Sequence, residues 1–251
     1  MAGQKLGQHF LIRGSVLERI ARAACPGTEP LVIEIGPGRG ALTAHLLSRA
    51  DRVLAIEIDP YLARRLEGTY SGERRLEVIE ADALKTDLGQ WGPAVIAGNL
   101  PYYAATAILE RVLDLGPKLR RGVFLVQKEV AARAAAAPGR RDFGYFSVAT
   151  QLFADVEVLF EVNPAAFHPP PKVDSAVLRL EPRDRAAEIG VADPRAFLRF
   201  VSLCFRQKRK TIRNNLAAAH GPAVDTWPEA GLRAEQINIA GFAAMYRRLV
   251  P

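Results

Sequence analysis

The chain has 251 residues, of which 49% are hydrophobic and 24% charged, enough for one sizeable core and a smaller second domain, and a balance that excludes a disulfide miniprotein, a collagen-like repeat and a mostly disordered tail. Its two cysteines, Cys25 and Cys204, have no metal-ligand spacing, no apolar run approaches the roughly 18 residues of a membrane helix, and the polar first nine residues lack a signal peptide's apolar stretch, so a cytoplasmic location is expected. The net charge of +7 is concentrated late: from Glu181 onward 12 Lys and Arg face 7 Asp and Glu, against 22 and 20 before it, which makes a polyanionic partner an expectation for the C-terminal part.

In chain order, short apolar and β-branched runs at 31–35, 53–58, 76–79, 94–97 and 123–126 predict strands. Between them, 42–49, 61–66 and 106–113 show apolar spacings of three and four and predict helices, as does the alanine-rich stretch 128–137 up to Pro138 and Gly139. Two further strands are predicted at 146–160 and 175–180, separated by the breaker-rich stretch 163–171. Alternating strand and helix units of this kind build a largely parallel α/β sheet, here of about seven strands. From Pro194 the pattern is helical, so two domains are expected, residues 1–181 and 182–251, with no internal repeat.

The first strand runs into Glu34-Ile35-Gly36-Pro37-Gly38-Arg39-Gly40, ahead of a helix at Ala41. Glycines at such a turn let a ligand lie against the main chain at the helix N-terminus. The loop alone leaves open a ligand-free turn or a nicotinamide dinucleotide site. Glu57, with Ile58 after it, ends the second strand about twenty residues on, where a carboxylate can accept from both hydroxyls of a ribose. Asp82, followed by Ala83, ends the third at the same sheet edge, where it can accept from the amine of an adenine. Together these residues predict an adenosyl cofactor. Glu34, a carboxylate at the loop, suits a cationic ligand better than a pyrophosphate and so favours S-adenosylmethionine over a nicotinamide dinucleotide.

Gly98-Asn99-Leu100-Pro101-Tyr102 follows the fourth strand. The amine of adenine delocalises its lone pair into the ring and is a poor nucleophile. An Asn99 side-chain oxygen and a Leu100 carbonyl that accept its two N–H groups would hold the lone pair toward an electrophilic methyl. Pro101 biases Leu100 away from helical geometry and helps present that carbonyl. Tyr102 can stack on the base. Catalysis of this kind is positioning and electrostatic steering, and needs no catalytic histidine or nucleophilic serine.

These motifs resemble those of the KsgA-type ribosomal RNA adenine dimethyltransferases, class I methyltransferases with a Rossmann-like sheet. The resemblance spans nearly the whole chain: Gly7-Gln8-His9-Phe10-Leu11, Glu34 to Gly40, Glu57, Asp82-Ala83, Asn99 to Tyr102, Gln127-Lys128-Glu129-Val130, Phe167 to Val177 and Arg209-Lys210-Thr211-Ile212-Arg213-Asn214. It implies cofactor contacts at His9, Leu11, Gly36, Glu57, Asp82 and Asn99, with Gln8 alongside. It also implies two methyl groups on each of two adjacent adenines in a 3′-terminal hairpin loop of small-subunit RNA, on a late assembly intermediate, and a part in subunit maturation. A monomer that needs S-adenosylmethionine and no metal is expected, and His45, His168 and His220 are too scattered to suggest a metal site. Two positions depart from the family pattern. His9 and Tyr103 each stand where Asn is usual, and the imidazole brings a titratable group to the cofactor site.

For RNA, Arg206, Arg209, Lys210 and Arg213 recur at helical spacing within 197–216 and predict a cationic stripe, with Phe197, Phe200, Val201, Leu203 and Cys204 facing the core. Lys172 would add to the rim, and Phe167 would form a wall of the base pocket opposite Tyr102. An adenine inside a helix could not reach such a site, so an unpaired or flipped base is implied. Three other readings remain: a macrolide-resistance-type enzyme acting on one adenine of large-subunit RNA, a nonenzymatic assembly factor on the same scaffold, and a nicotinamide oxidoreductase.

Overall fold

Strands dense in Val, Ile and Ala and buried on both faces need cover from both sides, which is the condition for a parallel sheet between helices. The computed structural model, which describes residues 9–249, has this architecture. β1 (Phe10–Leu11) and α1 (Gly14–Ala24) lead into β2 (Val32–Ile35), α2 (Ala41–Leu47), β3 (Val53–Glu57), α3 (Pro60–Thr69), β4 (Leu76–Glu80), β5 (Ala94–Asn99), α4 (Ala105–Leu113), β6 (Leu119–Gln127) and α5 (Lys128–Ala135). Then follow α6 (Tyr145–Phe153), β7 (Ala154–Val162), β8 (Phe167–His168), β9 (Ser175–Pro182), α7 (Arg185–Glu188), α8 (Pro194–Cys204), α9 (Ile212–His220) and α10 (Ile239–Arg247). Among the described residues no helix is long and apolar enough to cross a membrane.

The seven-stranded sheet runs β4-β3-β2-β5-β6-β9-β7. β2 pairs in parallel with β3 on one side, Val32 opposite Val53, and with β5 on the other, Val32 opposite Val95. The chain therefore builds outward from β2 in one direction, then returns to build in the other. That reversal opens a crevice beyond the carboxyl end of β2, where ligands of open α/β sheets bind. β9 enters antiparallel to β6, with Ser175 opposite Gln127. A separate two-stranded ribbon joins β1 to β8, Phe10 opposite His168 and Leu11 opposite Phe167. Neither this ribbon nor α1 is predicted from the sequence. α1 buries Val16, Leu17, Ile20, Ala21 and Ala24, a 3.6-residue pattern beneath a polar overlay.

The stretch 146–160, read above as one strand, is helix α6 followed by strand β7. α6 is apolar nearly all round, with Phe146, Val148, Ala149 and Leu152 buried together with Ser147 and Thr150. Such a run carries no amphipathic period to tell helix from strand. The two halves belong to different compact units. One comprises Met1–Ala131 with Asp155–Pro182, the other Ala132–Ala154 with Arg183–Pro251. This corrects the division at Glu181: residues 132–154, expected in the first domain, pack in the second. Phe143, Val148 and Leu152 share its core with Phe197, Val201, Cys204, Leu216 and Phe242.

Candidate active site

The glycine loop after β2 enters α2 with Gly36, Gly38 and Gly40 at φ of 69°, 58° and 82°, the left-handed region that glycine adopts freely. Two of them line a cleft of about 430 Å³ beyond the sheet edge. Gly40 does not. It caps α2 from behind the loop, where a Cβ would lie 2.5 Å from Leu66 Cδ1, so its part is to let the turn pack. Glu57 reaches the cleft from the end of β3, only 4% exposed. Its Oε2 accepts from Gly38 N at 3.0 Å and its Oε1 from Asp59 N at 2.9 Å. Burial raises its pKa against the pull of those bonds. Asp59 in turn caps α3, accepting from Tyr61 N at 2.9 Å ahead of Pro60 at the first turn.

Glu34 also lines the cleft and is 1% exposed. Burial pushes its carboxyl up to about 8; the Thr43 hydroxyl, donating to Oε2 at 2.6 Å, lowers it and the charge of Glu57 raises it. Among the described residues no cation contributes to that shift. Asp82 follows β4 and binds its own turn through Leu84 N at 2.9 Å. Asp82, Ala83 and the half-exposed Ile58 lie along the same cleft.

The reactive stretch sits at the end of β5. Gly98 is dictated by close approach, since a Cβ there would lie 2.3 Å from the Ile35 carbonyl oxygen. Asn99 Nδ2 donates to the His9 carbonyl at 3.0 Å, which turns Oδ1, the acceptor an amine requires, to the opposite side of the amide. Leu100 is buried, and its N–H bonds Leu125 O at 3.0 Å. The Tyr102 hydroxyl pairs with Ser175 Oγ at 2.9 Å, and burial raises the phenol pKa. The His9 ring lies against Tyr102 with centroids 5.6 Å apart, and its Nδ1 bonds the Pro169 carbonyl at 2.8 Å. Sequence reasoning missed Ser175. The signal available was a hydroxyl inside the Phe167 to Val177 stretch, at the head of an apolar run that the strand buries, where an unpaired one is costly.

The cleft thus gathers His9, Leu11, Glu34, Gly36, Gly38, Glu57, Ile58, Asp82, Ala83, Asn99, Leu100, Pro101 and Tyr102. Gln8 lies outside the described residues. Phe167, read as a wall of the base pocket, is corrected: it is 3% exposed, opposite Leu11 in the ribbon, and packs in the core with Val16, Leu17 and Val162. The carboxylates at three strand ends and the glycine loop fit an adenosyl ligand, and a buried carboxyl that no cation of the described residues offsets fits a cationic one. Among the described residues no cluster of three or more His, Cys, Asp or Glu is placed to hold a metal ion.

The cationic helical stripe is also corrected. α8 ends at Cys204 and α9 begins at Ile212, so Arg206, Arg209 and Lys210 stand exposed on the intervening loop. No Gly or Pro marks the break. The Asn215 side chain makes it, donating to Cys204 O at 2.8 Å at the end of α8 and accepting from Gln207 N at 2.9 Å. Arg213, on α9, is paired with Asp225 at 3.0 Å. Lys208 Nζ bonds the Arg141 carbonyl at 2.6 Å, which brings Arg140 and Arg141 beside this loop, two cations that no local spacing groups with it. Lys172 is exposed ahead of β9 in the other unit.

Residues 2–248 match the family model described as Ribosomal RNA adenine dimethylase. A protein of Acidobacterium capsulatum named Ribosomal RNA small subunit methyltransferase A is 42% identical over 256 residues, 98% of this chain and 90% of its own length. The protein of the same name from Thiobacillus denitrificans is 41% identical over 245 residues, 96% of this chain and 95% of its own. Among solved structures, a dimethyladenosine transferase from Plasmodium falciparum is similar in fold, with a TM-score of 0.82 at 24% identity over 96% of this chain and 97% of that one. The 23S rRNA methyltransferase ErmE gives 0.76 at 28% identity over 96% and 100%.

Proposed function

We propose that this chain, which belongs to the family of ribosomal RNA adenine dimethylases, uses S-adenosylmethionine to place two methyl groups on the exocyclic amine of each of two adjacent adenines in a 3′-terminal hairpin loop of small-subunit ribosomal RNA. The observation that carries this reading is one cleft holding Glu57, Asp82 and the Asn99 to Tyr102 stretch together with the buried Glu34. The small subunit is favoured because relatives bearing its name are 41% and 42% identical, whereas ErmE stands at 28%. An intact glycine loop and reactive stretch speak against a nonenzymatic factor. Membership of a methyltransferase family speaks against a nicotinamide dinucleotide.

S-adenosylmethionine supplies the electrophilic methyl group and leaves as S-adenosylhomocysteine. Glu57 would hold the ribose through the lone pairs its two backbone donors leave free, Asp82 the adenine amine of the cofactor, and Glu34 its cationic end. On the substrate side, Asn99 Oδ1 accepts one N–H of the target amine and the Leu100 carbonyl the other, which fixes the direction of the lone pair. Because the Tyr102 hydroxyl is engaged by Ser175, the ring face is what Tyr102 offers to the base. Asn99 is itself held by the His9 carbonyl, so its oxygen is in place before the base arrives. Barrier lowering then comes from positioning and fixed dipoles; the methylated nitrogen is strongly acidic and gives its proton to water, so no strong base is needed. The exposed cations of loop 205–211 bind RNA phosphates. In this reading the protein acts as a cytoplasmic monomer on an assembling subunit and uses no metal.

The test is transfer of labelled methyl groups to undermethylated small subunits and, in parallel, to naked large-subunit RNA. Dimethyladenosine confined to the small subunit is expected. Label on large-subunit RNA alone moves the chain to the resistance-type reading, and label on neither leaves the nonenzymatic one.

A further inference from the structure

Tyr103 is 65% exposed, the most exposed large hydrophobic side chain among the described residues. It nonetheless lines the cleft, so it stands at the mouth. Its neighbour Tyr102 is treated oppositely, with its hydroxyl bonded to the fully buried Ser175. Two consecutive phenols in one turn therefore part, one anchored inside and one presented to solvent. Ile12, 60% exposed, also lines the mouth and makes it apolar. An exposed ring gains nothing from the fold that a small polar residue would not give. It does carry a rigid π-face with two side-chain torsions, which is what stacking on an unpaired base requires.

We propose that Tyr103 is a second stacking platform, taking the base adjacent to the adenine held in the cleft. This rests on the reading of the cleft as an adenine site. When one base of a single strand leaves the stack, its neighbour loses a stacking partner at the mouth of the pocket. The Tyr103 ring replaces that partner and so lowers the cost of extrusion. An Asn at this position would have no ring to offer. The residue is assigned to substrate binding.

The experiment compares Tyr103→Ala, Tyr103→Asn and Tyr103→Phe in equilibrium binding of undermethylated small subunits, in KM and kcat for methyl transfer to them, and in S-adenosylmethionine affinity. Removing one base–aromatic stack is expected to weaken subunit binding and raise KM about tenfold in the Ala and Asn variants. The loss falls on KM rather than kcat, cofactor affinity is unmoved, and Tyr103→Phe restores binding because it keeps the ring. Wild-type binding by Tyr103→Ala, or a loss in Tyr103→Phe equal to that in Tyr103→Ala, overturns the platform. A wild-type protein that binds subunits without methylating them overturns the proposed reaction while the binding ratios still decide on Tyr103. One that neither binds nor methylates overturns both.

Discussion

Replacing Glu34 with glutamine keeps the side chain's volume and an acceptor for the Thr43 hydroxyl, and removes only the titratable proton. With its carboxyl pushed up to about 8 from the ordinary 4.5, roughly nine molecules in ten carry it neutral at pH 7. In the unfolded chain the same group is ionised there, so folding takes up a proton. Stability therefore falls as pH rises from about 4.5 to about 8 and is level beyond. Up to pH 7 the loss is about 3 kcal/mol at ~1.4 kcal/mol per unit. Glu34→Gln has no such term and gains on the wild type over the same interval. A cationic ligand beside Glu34 favours the carboxylate, so binding at pH 7 must expel close to one proton. Titration calorimetry of S-adenosylmethionine in buffers of different ionisation enthalpy counts it: about 0.9 proton released by the wild type, fading well above pH 8, and none from this group in Glu34→Gln. No release by the wild type at pH 7, or equal release by both proteins, refutes the placement of the cation.

Asn99→Ala is expected to lower kcat by about a hundredfold or more, the scale of a lost transition-state hydrogen bond in a dry site, with cofactor affinity little changed; single-turnover transfer beside cofactor titration checks the split. Ser175→Ala and Tyr102→Phe remove the two ends of one hydrogen bond, so their stability losses, about 1 kcal/mol each, should not add in the double variant; thermal or urea unfolding of the four proteins measures the coupling. Arg209→Ala with Lys210→Ala should weaken RNA binding and flatten its dependence on salt, while Arg213→Ala, already paired with Asp225, does less; log affinity against log salt gives the slopes.

The parallel sheet and the cleft were legible because their signals are local. Apolar and β-branched runs four to six residues long and glycines at a strand end fix the first five sheet strands and the loop, and carboxylates at successive strand ends fall on one edge once the strands are parallel. What escaped was set by distant partners. β1 is two residues long and exists because β8 lies beside it. α6 has a strand's composition and is a helix because Val148 and Leu152 are buried in the second unit's core. Phe167 sits in a family motif and is nonetheless a core residue, since motif membership does not say which way a ring points. The break between α8 and α9 comes from Asn215, a residue beyond the break, where a reader looks for glycine or proline.

The β1–β8 ribbon also sets an order of events during synthesis. His9 and the Pro169 carbonyl it bonds are 160 positions apart, and Ser175 lies further on still. As the nascent chain leaves the ribosome, β2 to β6 and the glycine loop can pair with what has already emerged. His9 must wait, and with it the carbonyl that orients Asn99; Tyr102 must wait for its hydroxyl partner. The catalytic geometry is thus finished late, after the sheet that carries it, and a chain interrupted before β8 has a cofactor loop without an ordered place for the base.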